Sequence, residues 1–277
     1  MQLEAETIQQ PSAEAKGGWQ LCSSDLLAVS WGFGTNSTGL LCGLYERGIK
    51  PHLIIAADTG GENPHSIAYI PIMQAKVREW WDMEIIIVKS LRKGEHEGLE
   101  NECLRQSRLP SLAYGFRGCS IKHKTEPFNK WVRAWMKEND VKHIVKAVGF
   151  DAGEAHRIKP SPLPWHTNWY PLVDWQWYRE DCMAAIKRHG LPQPAKSSCF
   201  FCPAMKRSEV LNLRDKHPEL LKRALAIEDA AQKTVTTKRG LGGQGNLWRD
   251  WLAMDEAQSK MMLDIEPHEI PCACIDG

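Results

Sequence analysis

The stretch Leu26-Leu27-Ala28-Val29-Ser30-Trp31-Gly32-Phe33-Gly34-Thr35-Asn36-Ser37-Thr38 decides how the chain is read. Its first five residues form an apolar run of strand length, and two glycines follow. From Ser37 to Arg47 the apolar residues Leu40, Leu41 and Leu44 recur at helical spacing until Gly48. Working outward, the alternation repeats. Leu53–Ala57 is a second buried strand, a helix runs from Pro64 to about Trp81, and Glu84–Val88 is a third strand. Glu126 to Glu138 is helical and His143–Val148 is a fourth strand. Strands alternating with helices of this length predict a doubly wound, mainly parallel α/β sheet.

Beyond Lys159 the texture changes to a Pro- and Trp-rich segment that reads as irregular. It holds four of the six tryptophans between Trp131 and Trp177, out of twelve in the chain, and most are expected to be packing. Helices near Tyr178–His189, Ala204–Asp215 and Pro218–Gln232 follow. The expected organisation is a disordered tail over 1–18, a nucleotide-binding domain over 19–160, and a helical, cysteine-bearing part over 161–277 packed on it.

Bulk properties bound the function. The 277 residues carry a formal net charge of +1, so no broad electrostatic footprint for nucleic acid or membrane is indicated. Met1–Gly18 lacks the apolar core of a secretory signal, and no apolar run approaches the roughly 20 residues that span a bilayer. A cytoplasmic location is expected, and in that reducing setting nine cysteines read as metal ligands, redox thiols or core residues.

Strand, glycine-bearing turn and helix is the arrangement that phosphate binding needs. Glycines at 32 and 34 permit positive φ, and the first helical N–H groups point at an incoming anion. Ser30, Thr35, Ser37 and Thr38 add hydroxyls. The alternative is an ordinary strand–helix turn capped by Asn36 or Ser37. The pattern is neither G-x-G-x-x-G nor G-x-x-x-x-G-K-[ST].

With these residues in view, Ser30–Thr38 resembles the PP-loop (S-G-G-x-D-S) of the adenine nucleotide alpha hydrolase superfamily, with Asn36 where aspartate is usual. Asp58-Thr59-Gly60-Gly61-Glu62 resembles the D-T-G-x-E motif of its phosphoadenosine phosphosulfate reductase branch. Gly149-Phe150-Asp151-Ala152-Gly153-Glu154-Ala155-His156-Arg157 resembles G-x-R-A-x-E-S-x-R, with Asp151 where a basic residue is common. Tyr170-Pro171-Leu172-Val173-Asp174-Trp175 resembles Y-P-L-x-D-W. The resemblance spans roughly residues 25–160. It implies a Rossmann-like fold that binds ATP or an adenylyl sulfate. The aspartate usual at position 36 would help organise Mg²⁺ around a pyrophosphate, and Asn36 lacks that charge. Asp58 would contact ribose or a metal-bridged group, and Arg157 phosphate or sulfate oxygens, unless Arg157 merely pairs with Glu154. Glu62 would cap the following helix.

Cys199-Phe200-Phe201-Cys202 is a CxxC motif at the expected start of a helix, and read alone it suits a metal site or a redox dithiol. Gly118-Cys119-Ser120-Ile121-Lys122-His123-Lys124-Thr125-Glu126-Pro127, with Cys119 80 residues before Cys199, resembles the C-C-x-x-[RK]-K-x-x-P segment of iron–sulfur sulfonucleotide reductases. The resemblance implies a [4Fe–4S] cluster, with zinc as the alternative, on Cys119, Cys199 and Cys202. Gly118 replaces the second cysteine of the pair. The fourth ligand is assigned to Cys103, with His123 second and the tail cysteines Cys272 and Cys274 remaining. Lys122 and Lys124 are placed to meet phosphate or sulfate, or else are solvated. Cys22, Cys42 and Cys182 are expected in the core.

Cys272 or Cys274 also stands where such reductases carry a catalytic thiol, without the usual E-C-G. The basic, glycine-rich Lys238–Gly245 reads as a closing loop or a connector. Three functions follow: ATP α-phosphate cleavage serving sulfur chemistry, sulfonucleotide reduction by a tail thiol, or a non-catalytic nucleotide-binding accessory of a nucleic-acid modification system. The enzyme readings imply a thioredoxin-type or cysteine-desulfurase donor as partner.

Overall fold

The computed structural model describes residues 25–92, 95–234 and 239–263. β1 (Leu27–Trp31), α1 (Thr35–Glu46), β2 (Leu53–Asp58), α2 (Pro64–Trp81) and β3 (Ile85–Lys89) follow the expected alternation. A small ribbon, β4 (Leu91–Arg92) with β5 (Glu95–His96), precedes α3 (Leu99–Gln106). The short α4 (Gly118–Ser120) runs through a π-turn, Ile121–Thr125, into α5 (Glu126–Glu138). β6 (Ile144–Val148), β7 (His166–Trp169), α6 (Pro171–Asp174) and α7 (Arg179–Arg188) come next. α8 (Arg207–Lys216), α9 (Pro218–Gln232), the hairpin β8 (Arg239–Gly240) and β9 (Gly243–Gln244), and α10 (Trp248–Leu263) complete the order.

The five main strands form one sheet in the order β3-β2-β1-β6-β7, and β2–β3, β1–β6 and β6–β7 pair in parallel. The chain winds outward from β1 and then returns to β6 on its other side, so the fold is doubly wound α/β. β1 and β2 are nearly continuous apolar runs because both of their faces are covered. β7 lies inside the segment expected to be irregular. As an edge strand with only His166 and Trp169 buried, His166–Trp169 needs no hydrophobic run to hold its place. α3, the turn at 118–125 and α10 were likewise not anticipated.

The chain divides into two compact units that interleave in sequence. Among the described residues the first takes those up to Ser30, Thr35–Leu53 and Val141–Gln193; the second takes Trp31–Gly34, Ile54–Asp140 and those from Pro194 onward. Within the first, glycines on α1 let it approach α7 and the tryptophans before it. A Cβ on Gly39 would meet Cys182 at 2.5 Å, and one on Gly43 would meet Trp175 at 2.5 Å. Arg47 places its guanidinium 3.9 Å from the Trp175 ring centroid and 4.9 Å from that of Trp177. These tryptophans pack helices, as expected. Cys42 and Cys182 are core residues; Cys22 lies outside the described residues.

In the second unit, Phe200, Phe201, Val210, Ile227 and Trp248 belong to one apolar cluster. Its fully buried Glu228 accepts from the backbone N–H groups of Leu241, Trp248 and Arg249 at 2.8, 3.0 and 3.3 Å. The described part of the glycine-rich segment is thereby tied down, which argues against a loose connector. No helix among the described residues is long and apolar enough to cross a membrane.

Candidate functional site

β1 ends at the point where strand order reverses, the place where open α/β sheets leave a crevice. The loop leaving it takes a shape different from the expected one. The left-handed residue is Phe33, at φ 61°, while Gly32 and Gly34 keep ordinary φ. A non-glycine residue there costs about 1–3 kcal/mol. The cost is offset by burial: Phe33 is 1% exposed and meets Trp31 edge-to-face at 4.9 Å. Gly34 sits in a tight place, since a Cβ would stand 3.3 Å from that of Ser197, whose hydroxyl donates to the Gly32 carbonyl.

α1 begins at Thr35, which accepts from Arg179 Nη2 at 3.2 Å. Asn36 Nδ2 donates to Asp151 Oδ2 at 2.8 Å and to Glu154 Oε2 at 3.2 Å. Gly149 lets the exit of β6 pass this turn, because a Cβ would lie 2.9 Å from the Ser37 Cα. Asp151 also caps the next turn, accepting from Glu154 N at 3.1 Å. Arg157 pairs with Glu154, the second of the two roles open to it, and its guanidinium lies 4.1 Å from the Phe150 ring centroid. Phe150 in turn stacks on Tyr170 at 5.6 Å. Two buried polar atoms in this group lack partners, Asn36 Oδ1 and Arg157 Nε. Asn36, Gly149 and Arg157 are thus brought together, joined by Asp151 and Glu154.

The turn after β2 belongs to the second unit. Asp58 accepts from Gly60 N at 2.8 Å and pairs with Lys89 at 3.3 Å. Gly60, at φ +73°, passes so close to Gly98 that a Cβ would lie 2.7 Å from its Cα. Thr59 Oγ1 donates its proton to Glu62 Oε1 at 2.9 Å, so the same Thr59 Oγ1 accepts from the Cys199 thiol at 3.2 Å. Glu62 does not cap α2, which opens after Asn63 without a side-chain cap. Its side chain is fully buried, it bridges backbone with Cys199, and Oε2 has no partner. A cavity of about 490 Å³ opens here, lined by Asp58, Glu62, Phe200 and Arg223 among others.

Cys103, Cys119, Cys199 and Cys202 all pack on the same apolar cluster. Cys119 lies near enough to both Cys103 and Cys202 to raise their thiol pKa, and Cys199 and Cys202 are electrostatic neighbours. Burial, the largest cause, pushes Cys103 and Cys199 up to about 12 and Cys202 upward. The CxxC sits in a turn before α8, which opens only at Arg207. Among the described residues no three His, Cys, Asp or Glu side chains converge as ligands of a single ion. In chemistry, though, four cysteines on one apolar bed are the kind of donor an iron–sulfur cluster takes, namely Cys thiolates.

His123, the second choice for fourth ligand, is already occupied. It is 1% exposed and bonded to Ser90 Oγ at 2.8 Å and Glu102 Oε2 at 2.7 Å. Lys122 pairs with Glu102 at 2.5 Å while its side chain stays 48% exposed, and the partly exposed Lys124 pairs with Glu62 at 3.6 Å. Cys272 and Cys274 lie outside the described residues. Sequence reasoning passed over Arg179, Ser197, Ser90 and Glu102; adjacency to Cys103 was the only signal for Glu102.

No protein-family model matches the chain, and no curated protein is significantly similar to it. Among solved structures the chain is similar to the U34-tRNA thiolase NcsA from Methanococcus maripaludis with its [4Fe-4S] cluster. The identity is 15%, the match covers 79% of this chain and 78% of that one, and the TM-score is 0.44. At that distance family and activity rest on this chain's own side chains.

Proposed function

We propose that the chain is an adenine-nucleotide enzyme of the PP-loop kind, resembling the phosphoadenosine phosphosulfate reductase branch, that couples ATP α-phosphate cleavage to iron–sulfur-assisted sulfur chemistry. The observation that carries this reading is the bond between Thr59 and Cys199. It joins the D-T-G-G-E turn, which the resemblance gives to the nucleotide, to the CxxC motif. Cys103, Cys119, Cys199 and Cys202 would hold the cluster. A bound cluster supplies a place to hold sulfur or pass an electron.

The chain's own groups then have defined work. The N–H groups opening α1 bind phosphate, and the Asn36 Oδ1 and Arg157 Nε atoms, unpartnered in the protein, offer an acceptor and a donor beside them. Cleavage at the α-phosphate transfers adenylate to an acceptor oxygen and releases pyrophosphate; a sulfur nucleophile then displaces AMP. Mg²⁺ would accompany the pyrophosphate.

The test uses anaerobically purified full-length protein. Iron near four per chain with pyrophosphate release from ATP is expected. Sulfite release from adenylyl sulfates with thioredoxin, without pyrophosphate, overturns the ATP chemistry in favour of reductase action by a tail thiol. Nucleotide binding without turnover of either substrate leaves a binding accessory.

A further inference from the structure

The π-turn Ile121–Thr125 is a hub that the proposed chemistry leaves unused. Three consecutive residues on it reach three different parts of the second unit. Lys122 and His123 both bond Glu102, which immediately precedes Cys103 on α3. His123 also bonds Ser90, at the end of β3, whose hydroxyl donates to the Glu97 carbonyl at 2.7 Å. Lys124 pairs with Glu62, the backbone partner of Cys199. Cys119 lies on the short helix that feeds directly into this turn.

Such geometry is demanding. An ordinary helical turn fans consecutive side chains apart, and a π-turn is an uncommon departure that often marks a functional position. A buried histidine with both nitrogens bonded is also expensive to place unless every partner is satisfied. Here all of them are, and the same bonds fix the segments that carry Cys103 and Cys119.

We propose that His123 is the positioning residue of the cysteine constellation, locking α3 to the 118–125 segment through Glu102 and Ser90 so that Cys103 and Cys119 are held at cluster spacing. It touches neither substrate nor metal and acts through Glu102. The inference rests on the cluster reading above.

The experiment compares full-length wild type with His123→Ala, His123→Gln and Glu102→Gln after anaerobic purification. It measures iron and acid-labile sulfide per chain and the reduction potential of the bound cluster. His123→Ala is expected to lose at least half of the wild-type iron, with the remainder showing a shifted potential. His123→Gln, whose amide still reaches Glu102, is expected to recover most of the iron. If His123→Ala fails to fold, Glu102→Gln, nearly identical in shape, is expected to show the same loss and shift. Wild-type iron and potential in both His123→Ala and Glu102→Gln overturn the positioning role alone. A wild-type protein without iron overturns the cluster reading and this inference with it.

Discussion

At the residue scale, Asn36 bears most directly on the proposed chemistry. Its amide bridges Asp151 and Glu154, so an aspartate there would set a third carboxylate against two others. Asn36→Asp is expected to lower stability by about 1–3 kcal/mol in urea unfolding, with Asn36→Asp/Asp151→Asn recovering most of it. His166 makes a second residue-scale prediction. Burial, helped by Lys146 and His143, lowers its pKa from 6.5 to about 4, so it is neutral in the fold while the unfolded chain takes up a proton below about 6.5. Its contribution is therefore complete above that pH and is lost as the pH falls toward about 4, by about 3 kcal/mol at most. Replacing it with glutamine should flatten the stability profile over that window. The loop glycines show where reading residues fell short. Both were legible as a loop, but the strain sits on Phe33, because a buried side chain rather than a backbone requirement sets the turn.

At the element scale, close approach governs the packing of α1. Gly39→Ala or Gly43→Ala removes a helix-weakening glycine yet forces a methyl into Cys182 or Trp175. A net loss of about 1–3 kcal/mol is expected in thermal or urea melts, against a gain of about 1 kcal/mol if the glycines were merely tolerated. Elements covered on both faces, such as β1 and β2, announced themselves as apolar runs. β7 did not, because an edge strand can be held by two buried residues. The π-turn was invisible for a related reason: a buried polar network of Ser90, Glu102 and His123 has no periodicity for a sequence to display. The CxxC and its partner cysteines were legible individually, while their common apolar bed is a property of the folded unit.

At the scale of the molecule, Cys103, Cys119 and the Cys199–Cys202 turn come from distant parts of the chain and meet on one cluster of side chains. If they hold iron and sulfide, removing the metal with a chelator under reducing conditions should lower the thermal midpoint of the protein. Restoring iron and sulfide should raise it again, since binding only to the folded state adds to stability. A midpoint indifferent to metal would separate the cysteines from any shared ligand. The order of the sheet has a further consequence, for synthesis. Leu27 pairs with Val145, so the flank of β1 that faces β6 has no partner until synthesis has reached β6. During that interval an apolar strand with open backbone groups stays exposed to other chains. Its yield in cells should therefore depend on translation speed and on chaperones that shield nascent β1, more than on the stability of the finished fold.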